Sequence, residues 1–232
     1  MANNAPINNS IDGSLHTANV VFTFIDVQSK NKFIEFLNGK NGLCITRSSK
    51  GCHSIECYEN EDDPLSINIW QMWHSKEDQE MYLKFRQDDG TFAFLHELLV
   101  GEVDISYLKP LKNLNLSKDD ATVGSLKMAQ TFMWIFTLKN AECKDKFFEF
   151  LDSESGLRVT RAYEGCQSVE CYEKVDKPLT IVFWDKWNSR DDLENYFKYL
   201  HKIGTFSLFK EWTLAEPEVL KLNPLKGCFA TG

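Results

Sequence analysis

Apolar residues fall along this chain in short blocks divided by polar turns, and the same succession of blocks occurs twice. Val20 to Asp26 and Gln130 to Leu138 are dense in Val, Phe, Thr, Ile and Trp at successive positions. That density predicts strands covered on both faces. Lys32-Phe33-Ile34-Glu35-Phe36-Leu37 follows and returns as Lys146-Phe147-Phe148-Glu149-Phe150-Leu151. Phe33, Phe36 and Leu37 stand at i, i+3 and i+4, the stripe of an amphipathic helix. Gly42 and Gly156 suit the turns that end these helices. Leu43 to Ser48 is predicted as a strand that breaks at Gly51 and resumes through Tyr58, with Gly51 marking a bulge. The charged turn Asn60 to Pro64 leads to a further strand, Leu65 to Trp73, whose twin is Leu179 to Trp187. Ser75 and Ser189 then cap a second helix, with Asp78 and Asp192 three residues on. A turn at Gly90 or Gly204 precedes a last strand ending at Leu108-Lys109-Pro110-Leu111 or Leu222-Asn223-Pro224-Leu225. Each copy therefore reads β-α-β-β-α-β.

The repetition extends to residue identity. Gly51-Cys52-His53-Ser54-Ile55-Glu56-Cys57-Tyr58-Glu59 returns 114 residues later as Gly165-Cys166-Gln167-Ser168-Val169-Glu170-Cys171-Tyr172-Glu173. The offset holds without a gap from Phe22/Phe136 to Lys112/Lys226, so the chain holds two copies of one folding unit. The divisions expected are a disordered lead-in at 1–18, a first unit at 19–112, a polar linker at 113–128, a second unit at 129–226 and a tail at 227–232. Within a pair, residues kept in both copies are the candidates for the fold or a shared site.

Composition narrows the function classes. A net charge of −8 and the lack of a basic run argue against nucleic-acid binding. No apolar stretch is long enough to span a bilayer, and Met1 to Asn19 lacks the apolar region of a signal peptide. A cytoplasmic location is the expectation. The 17 Phe and 6 Trp promise ample burial. Cys52 and Cys57, like Cys166 and Cys171, are five apart; on one strand that is about 16 Å, too far for a disulfide, and the odd spacing sets the two on opposite faces. The seven cysteines are expected to be reduced thiols. No His recurs between the copies, so no metal site is expected. Phosphate-loop, dinucleotide, metalloprotease and nucleophile-elbow patterns are missing, and no cofactor is expected.

The β-α-β-β-α-β order is that of a ferredoxin-like α+β unit, helices on one face of an antiparallel sheet. Gly51-Cys52, Glu56-Cys57-Tyr58-Glu59, Asp62, Pro64 and Trp73-His74-Ser75, with their second-copy counterparts through Trp187-Asn188-Ser189, resemble the antibiotic biosynthesis monooxygenase domain. The resemblance covers about residues 19–112 and 129–226. It implies a dimeric α+β barrel, here formed within one chain by two ferredoxin-like repeats. It also implies a small-molecule pocket between sheet and helices, and cofactor-independent oxidation or rearrangement of an aromatic, polyketide-like substrate. Many members of that family carry a His nine residues after the tryptophan. Tyr82 and Tyr196 stand there instead, which weakens any haem-binding reading. A non-catalytic small-molecule-binding or assembly protein is the alternative, and association into a further homo-oligomer is left open.

The candidate residues follow. Trp70/Trp73 and Trp184/Trp187 are spaced three apart, so each pair points to opposite faces of its strand. Trp73 and Trp187, on which the resemblance falls, are the substrate-binding candidates. Tyr82 and Tyr196 are the polar contacts from the helix that roofs the pocket. Arg47 and Arg161 are kept in both copies on expected strands with Glu56 and Glu170. Either they form Arg–Glu bridges, or the arginines anchor an anionic or enolate oxygen. The catalytic set is thus Tyr82, Tyr196, Arg47 and Arg161.

Overall fold

The computed structural model describes residues 15–111, 114, 129–226 and 228. The expected lead-in, linker and tail lie largely outside the described residues. The first half runs β1 (His16–Thr23), α1 (Val27–Asn38), α2 (Leu43–Ser48), β2 (Cys52–Asn60), β3 (Ser66–Trp73), α3 (Lys76–Asp88), α4 (Thr91–His96) and β4 (Asp104–Pro110). The second runs β5 (Gln130–Thr137), α5 (Ala141–Asp152), α6 (Leu157–Ala162), β6 (Cys166–Lys174), β7 (Thr180–Trp187), α7 (Arg190–Lys202), α8 (Thr205–Trp212) and β8 (Glu218–Pro224).

The eight strands among the described residues are antiparallel and close into one barrel in the order β1-β3-β2-β8-β5-β7-β6-β4. The halves are joined by two seams. At one, β2 meets β8 through Tyr58↔Pro224, Glu59↔Asn223 and Asn60↔Leu222. At the other, β4 meets β6 through Leu108↔Lys174, Lys109↔Glu173 and Pro110↔Tyr172. Among the described residues closure leaves no strand edge unpaired, which removes a route to aggregation. Ion pairs cross between the halves as well, at Lys186–Glu56, Arg190–Glu61 and Lys221–Asp62.

Alternation along the strands sorts side chains into the barrel interior or under the helices. Trp70, Tyr58 and Leu108 point inward with Trp184, Tyr172, Met133, Val182 and Leu222, forming one cluster shared by both halves. Trp70 and Trp184 stack there with ring centroids 4.1 Å apart. The edges of Tyr172 and Tyr58 meet these rings at 5.2 and 5.3 Å. Each tyrosine hydroxyl donates to the glutamate two residues earlier, Tyr58 to Glu56 and Tyr172 to Glu170. Burial, then the neighbouring carboxylate, pushes both phenols well above their ordinary range. On the outer face, Ile67, Ile69, Phe22, Phe24 and Phe33 form the first helix-to-sheet core, and Phe136, Phe147, Ile181 and Phe183 the second.

The structure corrects the sequence reading at four places. Leu43–Ser48 is the helix α2, not a strand, and its twin is α6. Its buried residues, Leu43 and Thr46, have helical spacing. The bare Cα of Gly42 lets the chain fold back on α1, since a Cβ there would lie 2.1 Å from the Phe36 carbonyl oxygen. Second, the turns at Gly90 and Gly204 open short helices, α4 and α8, before the last strands begin. Third, β1 starts at His16, ahead of the Val20 expected for the first strand. Fourth, β2 carries a bulge between Cys52 and Ser54, repeated in β6 between Cys166 and Ser168. An extra residue breaks the alternation, and Cys52 and Cys57 both meet the first helix-to-sheet core. None of the seven cysteines is joined in a disulfide. Gly51, at φ 77°, takes the left-handed turn that starts β2, and a Cβ there would strike Asp78 at 2.3 Å.

Candidate functional site

Between the first half's sheet and its helices lies a cavity of about 330 Å³. Its walls are mostly apolar and include Val20, Phe22, Phe33, Ile69, Leu83 and Leu95. One side is polar, and α3 supplies most of it. Ser75 fixes the start of that helix by accepting from the Asp78 backbone N–H at 3.1 Å. Gln79, Tyr82 and Arg86 then recur at i, i+3 and i+7, on the stripe that faces the sheet.

Arg86 is 2% exposed, and its guanidinium is fully engaged. It donates to the Asn41 and Gly42 carbonyls at 2.7 and 2.9 Å and to the Tyr82 hydroxyl at 3.0 Å. It also pairs with Asp89 at 3.2 Å. The Tyr82 hydroxyl shares a further 2.8 Å hydrogen bond with Thr46. Alongside, Gln71 Oε1 accepts from the Trp73 indole at 3.0 Å and from Gln79 at 3.2 Å, while Gln79 Oε1 meets His16 at 2.9 Å. The result is an apolar chamber with hydroxyl and amide groups fixed on one wall. Such a chamber can hold a ring compound and hydrogen-bond one polar substituent.

The corresponding place in the second half holds only about 70 Å³. Trp134, Phe183, Phe197, Phe206 and Phe209 line it where the first half has Val20, Ile69, Leu83, Phe92 and Leu95. The polar stripe is also altered: Gln79 and Arg86 correspond to Leu193 and Leu200, both buried. Tyr196 keeps its hydrogen bond, at 2.6 Å, to Thr160. Gln71 corresponds to Asp185, and burial pushes that carboxyl up to about 7. The Trp187 and Trp134 indoles pull the other way, yet neither reaches hydrogen-bonding geometry. Among the described residues, Asp185 Oδ1 and both indole nitrogens have no hydrogen-bond partner.

Of the residues singled out from sequence, Tyr82 lines the larger cavity and Tyr196 the smaller. Trp73 and Trp187 are fully buried behind them, with ring centroids 5.0 and 5.2 Å from Tyr82 and Tyr196. They back the tyrosines without lining either cavity.

Arg47 and Arg161 are not brought to these cavities. They sit on α2 and α6 rather than on strands, and each holds the segment that follows the other half's last strand. Arg47 donates to the Cys228 carbonyl, Arg161 to the Leu114 carbonyl and, at 3.3 Å, to that of Val169. Glu56 meets Lys186 of the opposite half at 2.8 Å, in place of the expected bridge to Arg47. Arg86, Gln71, Gln79 and Thr46 escaped the sequence reading. The signal for them in the sequence is a difference between the copies, Gln79/Leu193 and Arg86/Leu200, rather than a shared residue.

Among the described residues, no group of three or more His, Cys, Asp or Glu is placed to hold a metal ion. No helix among them is long and apolar enough to cross a membrane.

No family model and no curated protein matches the sequence. Solved structures do. A candidate monooxygenase from Fusobacterium nucleatum superposes with a TM-score of 0.69 at 14% identity, over 92% of this chain and 94% of its own. A candidate monooxygenase from Lactobacillus acidophilus gives 0.65 at 11%, over 90% and 93%. An anthrone oxidase-like protein gives 0.66 at 13%, over 96% and 98%. At these identities the likeness is one of fold, and it runs through both halves. The chain shares an α+β barrel architecture with these proteins, closed among the described residues by eight antiparallel strands.

Proposed function

We propose that this protein is a small-molecule enzyme of the antibiotic biosynthesis monooxygenase kind, built from two tandem ferredoxin-like units. It takes an aromatic, polyketide-like substrate between helices and sheet and uses the substrate's own electrons to reduce dioxygen. The observation that carries this reading is the 330 Å³ apolar chamber with the Tyr82 hydroxyl fixed in its wall. Arg86 donates to the Tyr82 oxygen, so the tyrosine proton is free to go to Thr46 or to a substrate carbonyl. A phenol held in this way stabilises the oxygen of an enolate as the substrate loses a proton.

Anthrone is a fitting test compound because a structural neighbour is an anthrone oxidase-like protein. Its CH₂ group and one O₂ give a C=O group and one H₂O, so atoms and electrons balance. The expected result is oxygen uptake at one O₂ per anthrone, well above the rate without protein. Tyr82→Phe is expected to lower turnover by about 10²-fold while binding is kept. Binding without oxygen uptake would favour the second reading, a non-catalytic binding protein. That reading draws on Arg86, whose hydrogen bonds are all made within the protein.

A further inference from the structure

We infer that each chain takes a single, uncharged ligand, held in the first half, and that the second half is a plugged copy of the same site. This rests on the reading of the first-half cavity as a binding site, and it adds stoichiometry and ligand charge.

The plug is visible position by position. Five cavity-lining residues of the first half, Val20, Ile69, Leu83, Phe92 and Leu95, correspond at the constant offset to Trp134, Phe183, Phe197, Phe206 and Phe209. At four of these five positions an aromatic ring stands where the first half has an aliphatic side chain, and the fifth is Phe in both. The rings meet one another and fill the space: Trp134 on Phe197 at 4.8 Å, Phe136 on Phe209 at 5.6 Å, Phe197 on Phe206 at 5.8 Å. The space left, about 70 Å³ against about 330 Å³, is too small for a ring compound. Replacing Gln79 and Arg86 by Leu193 and Leu200 removes polar wall groups as well. The two changes agree, since a site no longer used can be turned into core.

The ligand's charge follows from Arg86 and its surroundings. Arg86 is the one buried cation among the described lining residues, and two carbonyls, a hydroxyl and Asp89 already occupy it. Besides Tyr82, the other ionisable lining groups are His96 and Glu102, both exposed. A carboxylate or sulfonate entering the chamber would lose its water without gaining a free cation. A neutral molecule with one carbonyl or hydroxyl meets no such cost.

Two fluorescent probes sharing one ring skeleton test both parts. N-phenyl-1-naphthylamine is neutral, and 8-anilinonaphthalene-1-sulfonate adds a sulfonate to it. The full chain is expected to bind one N-phenyl-1-naphthylamine, and to bind the sulfonate at least about tenfold more weakly. Val20→Trp installs the second half's residue in the first half and is expected to abolish binding, with far-UV circular dichroism confirming the fold. Leu83→Phe makes the same test should Val20→Trp not fold. Opening the plug with Phe197→Leu and Phe209→Leu is expected to raise the stoichiometry towards two. Two probes on the unaltered chain, equal affinity for the sulfonate, or full binding by a folded plugged variant would overturn the inference and leave the cavity reading standing. No binding of the neutral probe would overturn both.

Discussion

Trp70→Ala is expected to destabilise the whole molecule by about 3–5 kcal/mol, the range for removing a large aromatic side chain from a packed core. Trp70 is 1% exposed and lies in the barrel interior, stacked on Trp184 and edged by Tyr172, both from the other half. Its removal therefore strips contacts from Trp184 and Tyr172, 114 and 102 positions away, as well as from its own unit. The two seams and the ion pairs that cross them link the halves further. Urea unfolding followed by far-UV circular dichroism and by tryptophan fluorescence measures the effect. Coincident transitions, both shifted to lower urea, are expected. A variant that loses less than about 1 kcal/mol, or in which only half of the signal moves, would show that the shared interior does not bind the halves together.

Asp185→Asn is expected to stabilise the protein, and more so in alkali than in acid. The Asp185 carboxyl sits at about 7 in the folded chain, raised by burial from the 3.8 of an ordinary aspartate. Between those two values the folded protein holds a proton that the unfolded chain has released. Stability from this group is therefore fullest below about pH 4 and falls as pH rises through the window, flattening above about pH 7. The full span is about 4 kcal/mol at 1.36 kcal/mol per unit. Carboxylates held low, such as Asp26 by the Ser29 N–H and Glu142 by Lys146, act in the opposite sense and at lower pH. Asparagine has no proton to release, so the variant's gain over the parent should grow by about 2–3 kcal/mol between pH 5 and pH 8. Urea midpoints at the two pH values read this directly. A gain that is the same at both would show that Asp185 is charged and solvated in the folded state.

Much of the fold could be read from the sequence because its strongest signals are local. Three-residue spacing on a strand sends Trp70 into the barrel and Trp73 beneath the helices, as expected. Asp26, Ser75, Asn140 and Ser189 each cap a helix through a side-chain oxygen. What stayed hidden depends on contacts between distant segments. Leu43–Ser48 has strand-like composition, but the Gly42 turn and the tyrosine on α3 draw Thr46 to the cavity wall as part of a helix. Cys52 changes face because of a bulge that its own residue type does not announce.

The site was harder to read for a different reason. Comparing the copies for shared residues selects what holds the fold, and Arg47 and Arg161 proved to be tethers of this sort. The cavity depends on residues the copies do not share. Val20 opposite Trp134 and Arg86 opposite Leu200 mark the half that kept open space.

The central claim is that the chamber beneath α3 receives a neutral ring compound. A crystal structure of the full chain soaked with anthrone tests it most directly. Density for one tricycle is expected between Phe22, Leu83 and Leu95, with its carbonyl oxygen about 3 Å from the Tyr82 hydroxyl. Density confined to the second half or the molecular surface, over a first-half chamber without ligand, would contradict it.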